Sequence, residues 1–288
     1  MASIALFPCS FINGATIVGE LSAQLGLTVY TDQLLLIDLA EKLGVSTEHL
    51  WRVLFGESSE QDRINLEKER SVNLCRSHLV EKLLSQPSKV LFYGRLAALF
   101  GPADTSVLRV LVGDSEEDRI RRAMREEGCS PERALAMIEK GDAELHAWTM
   151  FLHRKSPSDP SLYDLVIRYR SRDVFTIVDE IIRCYTEREA LVQGSEATVA
   201  LQNAALALAV ERALLEDGYL AHIVTNNEGI ELQVESSPFH FPWLAEALAQ
   251  RALEVSGVDK VKISKKSHRF EPPQKQLAAW FPQIEVSV

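Results

Sequence analysis

The first 41 residues contain no lysine, arginine or histidine; the earliest cation is Lys42. That absence falls on a segment that reads as strand, loop, helix and strand: IALF, then PCSFINGAT, then IVGELSAQLG, then LTVYTD. A loop between a strand and a helix cradles phosphate when glycines let backbone N–H groups approach closely, usually beside a cation. On the frame G-x-x-x-x-G-K-[ST] this loop supplies Cys9, four residues, Gly14, Ala15 and Thr16. The second glycine and the hydroxyl are present, whereas the first glycine and the lysine are missing.

Other absences narrow the class. Four cysteines (Cys9, Cys75, Cys129 and Cys184) never form C-x-x-C, so they read as reduced, packed thiols rather than a metal site. No basic segment precedes the apolar first ten residues, which argues against a signal peptide. No run approaches the roughly 20 apolar residues of a membrane span, so the chain is expected not to be transmembrane and to reside in the cytoplasm. A formal net charge of −10 argues against general nucleic-acid binding, which needs basic surface, but not against a small anionic ligand held by a local cluster.

What is present is an α/β pattern. The apolar strands at 4–7, 27–31, 90–94, 107–113 and 162–169 are separated by helical stretches. Such strands are buried on both faces, as in a doubly wound parallel sheet with ligand at its carboxyl edge. The polar stretch 56–70 reads as a linker or exposed helix. After Gly194 the order becomes helix, strand, turn, strand, helix, strand, with Asn227-Glu228-Gly229 as a hairpin turn. The expected division is residues 1–193 as the α/β domain, 197–270 as a small α+β domain, and 271–288 as a tail with Pro272-Pro273 and Trp280-Phe281-Pro282.

Four segments carry candidate chemistry. In the opening loop, Asn13 and Gly14 are phosphate-binding candidates, and the Thr16 hydroxyl is a candidate magnesium ligand or, alternatively, a helix cap. Asp32, directly after the second strand, can meet a nucleoside or metal, or cap the next helix. Gly94-Arg95 ends the VLFYG strand, where an arginine fork suits a phosphate. Arg119, Arg122 and Arg125 share one helical face, either as a phosphate-clamping lid or as a solvated face paired with Glu116, Glu117, Asp118, Glu126 and Glu127.

The series YTDQLLLIDLAEKLGVS, VLFYGRLAALF, LRVLVGDSEEDRIRRAMREEGCSPERALAMIEKGD and DPSLYDLVI resembles the cytidylate-kinase-like family, P-loop relatives of nucleoside monophosphate kinases, over roughly residues 1–185. The resemblance implies ATP and magnesium as cofactors. It implies an opening loop on the donor phosphates, Asp32 near the acceptor nucleotide, Arg95 on the acceptor phosphate, and Arg119 with Arg122 as a closing lid. The family loop Gly-Ser-Gly-Gly-Arg-Glu is replaced here by Phe11-Ile12-Asn13-Gly14-Ala15-Thr16. Leu145 stands where the family has an arginine, and Arg168 where it has an asparagine. These departures point to a pseudokinase or a regulatory, ligand-sensing scaffold, with an active nucleotide or small-molecule kinase as the alternative. A purely structural oligomer component is a third reading.

The segments NNEGIELQVES, Ala245–Ala252 and SGVDKVKIS are similar to a BON domain. That resemblance implies a binding module for a membrane surface, a hydrophobic ligand or a protein. Lys260, Lys262, Lys265, Lys266 and Arg269 offer an anionic partner a basic cluster. The Ala/Leu-rich helices suit either a homodimer interface or an internal core.

Overall fold

The computed structural model describes residues 2–56, 66–85, 89–101, 104–169, 172–192, 195–226, 229–234 and 241–265. Outside them lie the middle of the 56–70 stretch, the Asn227-Glu228 turn, Lys266, Arg269 and the 271–288 tail. In chain order the elements are β1 (Ser3–Pro8), α1 (Gly14–Leu25), β2 (Thr28–Thr31), α2 (Asp32–Leu43), α3 (Thr47–Phe55), α4 (Leu66–Ser85) and β3 (Val90–Tyr93). There follow β4 (Val107–Gly113), α5 (Glu116–Glu127), α6 (Pro131–His153), β5 (Leu165–Arg168) and α7 (Val174–Leu191). The last are α8 (Ser195–Glu216), β6 (His222–Asn226), β7 (Gly229–Val234), α9 (Phe241–Leu253) and β8 (Val261–Lys265).

Residues 1–35 and 87–194 form one compact unit, and residues 36–86 with 195–273 the other. In the first unit, five strands pair in the order β2-β3-β1-β4-β5, all parallel. Every residue of β4 is buried, and β1 is buried up to Pro8, as their unbroken apolar runs require of central strands. The segment after β1 leads to β2 at one edge, and the segment after β4 leads to β5 at the other. That reversal opens a crevice at the carboxyl ends of the central strands.

Local signals set the helix ends here. The side chains of Ser115 and Ser130 accept from Asp118 N and Arg133 N, and Gly128 ends α5 in the left-handed region. α1 starts at Gly14, earlier than the apolar pattern from Ile17 shows, because Gly14, Ala15 and Thr16 have no apolar periodicity to betray a helical turn. β5 is shorter than LYDLVIRY because Pro160–Leu162 forms a 3-10 turn capped by Asp159, and Asp164 is taken up by Arg109.

The second unit has a three-stranded sheet in the order β6-β7-β8, the first pair antiparallel and the second parallel. Its core joins Val210 and Leu214 of α8 to Ile230, Leu232 and Val234 of β7 and Leu248 and Ala252 of α9. Thr198–Glu216 is long and apolar enough by composition to cross a membrane, yet Leu208, Val210, Leu214 and Leu215 are buried inside the unit. α4 belongs here by its contacts, although the sequence reading grouped it with residues 1–193. Asn73 Nδ2 donates to Leu208 O at 3.0 Å and to Glu211 at 2.7 Å, and Arg70 donates to Leu215 O.

Candidate functional site

The opening loop follows a glycine path without the glycines. Past Cys9, whose N–H donates to Val112 O, the backbone enters the left-handed region at Phe11 (φ 58°) and again at Asn13 (φ 54°). An L-residue other than glycine pays about 1–2 kcal/mol there, less for asparagine than for a bulky side chain. Both positions are glycine in the family loop quoted above.

The surroundings explain how Phe11 is held. Its ring packs against Ala123, Ala134 and Ile138, the small apolar cluster between α5 and α6. Its carbonyl accepts from Arg122 Nε at 2.6 Å, and the Ser10 carbonyl accepts from Arg119 Nε at 3.0 Å. Asn13 Nδ2 donates to the Tyr169 hydroxyl at 3.1 Å. Gly141 of α6 lets the helix approach the Ser10 hydroxyl, and Gly14 lets α1 approach Tyr93; a Cβ at either position would overlap those groups.

Arg119 and Arg122 complete this clasp. Arg119 makes a two-pronged pair with Asp142, at 2.9 and 2.6 Å, with side-chain exposures of 2% and 15%. Arg122 pairs with Asp114, whose side chain is fully buried, and its guanidinium lies 4.8 Å from the Tyr169 ring centroid. The acids nearest in sequence are not their hydrogen-bonded partners. Arg121, 67% exposed and paired with Asp118, follows the solvated-face pattern, and Arg125 is exposed as well rather than joining Arg119 and Arg122 at the loop. The structure thus brings Arg119 and Arg122 to the loop, but onto its carbonyl oxygens. Burial pushes the nearby Cys9 thiol up to about 12, so it stays protonated at neutral pH.

The opposite wall is built on Asp32. Its two carboxylate oxygens accept from Arg95 N (2.9 Å) and Leu96 N (3.0 Å), so the acid at the start of α2 caps the 3-10 turn after β3 rather than standing open to a ligand. Gly94, at φ 126°, is required because a Cβ would run into that carboxylate. Burial raises the Asp32 pKa despite the two backbone donors and the Arg95 charge, and burial together with Asp32 raises that of Tyr93. The Arg95 carbonyl accepts from Trp148 Nε1 at 2.8 Å, and its guanidinium pairs with Glu144 of α6. Sequence reasoning did not find Glu144 or Trp148: both are ordinary helical residues there, about 50 positions from Arg95.

Between the walls lies a cleft of about 660 Å³, bordered by residues 8–16, Asp32, Tyr93 and Arg95, with Glu126, Met137, Gly141 and Leu145 across from them. Asn13, Gly14, Thr16, Asp32 and Arg95 therefore share one cavity, while Arg119 and Arg122 stand behind the loop. Leu145 is buried on the wall. Thr16 is exposed in the first turn of α1, and the cap position belongs to Asn13, which makes no side-chain cap bond.

These residues do not fit a magnesium triphosphate. Among the described residues the lining holds no lysine, its one arginine is paired with Glu144, and Asp32 and Glu126 add negative charge. Among the described residues no group of three His, Cys, Asp or Glu side chains is placed to hold a metal. The N-terminal end of α1 offers an anion its helix dipole, although the Thr16 and Ile17 N–H groups already donate to the Asn13 carbonyl.

The cytidylate kinase-like family matches residues 12–171. No curated protein matches this chain. Among solved structures, an uncharacterized protein from Eubacterium ventriosum ATCC 27560 is 21% identical, covering 65% of this chain and 98% of that one, with a TM-score of 0.49. Shikimate kinase from Acinetobacter baumannii, in complex with shikimate, is 14% identical over 65% of this chain and 94% of that one, with a TM-score of 0.36. Dephospho-CoA kinase from Campylobacter jejuni is 12% identical over 62% and 96%, with a TM-score of 0.34. With more than half its length matched, and with the parallel sheet, opening loop and Gly94-Arg95 turn in place, the chain belongs to the cytidylate kinase-like family.

Proposed function

We propose that the chain is a pseudokinase of its family: a ligand-sensing scaffold that does not transfer phosphate from ATP, carrying a C-terminal binding module. One observation carries this reading. The two arginines that the family resemblance assigns to a phosphate-closing lid are buried and bonded to the carbonyls of Ser10 and Phe11 and to Asp142 and Asp114. Phosphoryl transfer depends on positioning and on cations at the developing charge, and losing one such contributor costs about 10³-fold or more. Here the lysine is absent, the loop arginine of the family is Ala15, and the lid pair is committed to structure.

The second unit supports the module. Its α8-β6-β7-α9-β8 order is the helix, strand, strand, helix, strand order of a BON-like domain, and β8 carries Lys262 beside Lys260. A protein or other anionic partner suits that surface, and the exposed Val199, Trp243 and Leu253 on α8 and α9 suit a homodimer contact. The reading places the protein in the cytoplasm.

A thermal-shift screen of nucleotides with and without magnesium tests the assignment, since a ligand at 100 times its Kd adds about 2.7 kcal/mol to apparent stability. The expected result is no magnesium-dependent stabilisation by ATP. Such stabilisation, lost in Thr16→Ala, would restore the active-kinase reading.

A further inference from the structure

Arg95 is held at three points: its N–H by Asp32, its carbonyl by Trp148 and its guanidinium by Glu144. The first two fix the backbone of Arg95 where it borders the cleft. The third fills the fork with a carboxylate, the group that most nearly imitates a phosphate oxygen pair. We propose that Glu144 is the specificity-determining residue of the cleft: it occupies the Arg95 fork as a built-in anion and thereby excludes phosphomonoesters from the site. The inference rests on the cleft being the ligand site of the scaffold reading above.

Three observations carry it. The cleft is large enough for a small molecule, about 660 Å³, and among the described residues Arg95 is the one cation in its lining. With Arg95 paired to Glu144, the remaining lining charges among the described residues are the carboxylates Asp32 and Glu126, so an incoming dianion meets repulsion instead of a clamp. The Arg95–Glu144 pair also differs from the arginine pairs behind the loop. Its side chains are 22% and 35% exposed, and Arg95 itself borders the cavity, whereas the Arg119 and Arg122 side chains are closed off by the protein. A partly exposed pair contributes less to folding than a buried one, which leaves its position freer to serve selectivity. Gly141, one helical turn before Glu144, lets α6 approach the Ser10 hydroxyl.

The test is binding of inorganic phosphate and of CMP to the full chain, measured by calorimetry at low ionic strength for wild type, Glu144→Ala, Glu144→Gln and the double variant Glu144→Ala with Arg95→Ala. The expected result is that Glu144→Ala binds phosphate and CMP about tenfold or more tightly than wild type, as one gained charge-assisted contact allows. Glu144→Gln, which keeps the shape and loses the charge, falls between them. The double variant returns to the wild-type level, which separates a site at Arg95 from a general change in surface charge. Equal phosphate affinity in wild type and Glu144→Ala overturns the proposal, as does a gain that survives loss of Arg95. Neither outcome touches the pseudokinase reading, which is tested separately by magnesium-dependent ATP binding and by ATP turnover in the wild type.

Discussion

Two sets of arginines flank the opening loop and its cleft, one behind the loop and one on the cleft wall, and the contrast between them separates architecture from selectivity. Behind the opening loop, Arg119 and Arg122 are buried, paired with carboxylates and bonded to backbone carbonyls. Across the cavity, Arg95 borders the cleft and pairs with Glu144, both side chains partly exposed. The residue type and the carboxylate partner are the same; the burial differs. A buried pair, once broken, leaves an uncompensated charge and costs about 3–5 kcal/mol, whereas an exposed pair is worth about 0–1 kcal/mol. The loop side is therefore framework, and the Arg95 side is the place where ligand preference can change without unfolding the protein.

The sharpest way to break that comparison is Arg119→Ala. It strands Asp142 and the Ser10 carbonyl, and a loss of about 3–5 kcal/mol is expected in urea unfolding. A loss under about 1 kcal/mol would mean that the loop does not lean on this arginine. Next in size is the conformation of the loop itself. If Phe11 holds a left-handed backbone for the sake of its ring, Phe11→Ala loses the ring and keeps the strain, while Phe11→Gly loses the ring and sheds the strain. The glycine variant is then the more stable by about 1 kcal/mol, the reverse of the order expected at an ordinary loop position.

Asp32 tests the opposite wall through pH. Its folded pKa is raised by burial, so the folded state binds the proton more tightly than the unfolded chain does. Its favourable contribution is complete below the unfolded value near 3.8 and is lost as pH rises through the higher folded value. Stability curves of wild type and Asp32→Asn should diverge in slope across that window, with the wild type losing more as pH rises; parallel curves would show that burial leaves the carboxyl unperturbed. The smallest effect is expected from Glu144→Ala, a change in unfolding free energy below about 1 kcal/mol. A loss as large as that of Arg119→Ala would erase the distinction between the two sides.

The same division shows what the sequence disclosed. β1, β3 and β4 were legible because a central parallel strand must be an unbroken apolar run, and IALF, VLFYG and VLRVLVG are such runs. The positions of Gly94 and Arg95 at a strand end were legible for the same reason. The first turn of α1 was not, because Gly14, Ala15 and Thr16 carry no periodic apolar signal. Nor was the allegiance of α4, which depends on Asn73 and Arg70 meeting α8 more than 130 residues away. The arginine helix shows the limit most clearly. Spacing placed Arg119 and Arg122 on one face, but their partners, Asp142, Asp114 and two loop carbonyls, are set by tertiary packing, and the nearer acids in the sequence were decoys. Glu144 gave no signal at all, since a glutamate on a helix is unremarkable until an arginine is found opposite it.

The central claim, that this member of the cytidylate kinase-like family does not transfer phosphate, is tested most directly by following ATP consumption with CMP and a panel of other acceptors. The account predicts turnover at the level of buffer, unchanged by Arg95→Ala. Acceptor-dependent ATP consumption that disappears in Arg95→Ala would contradict it.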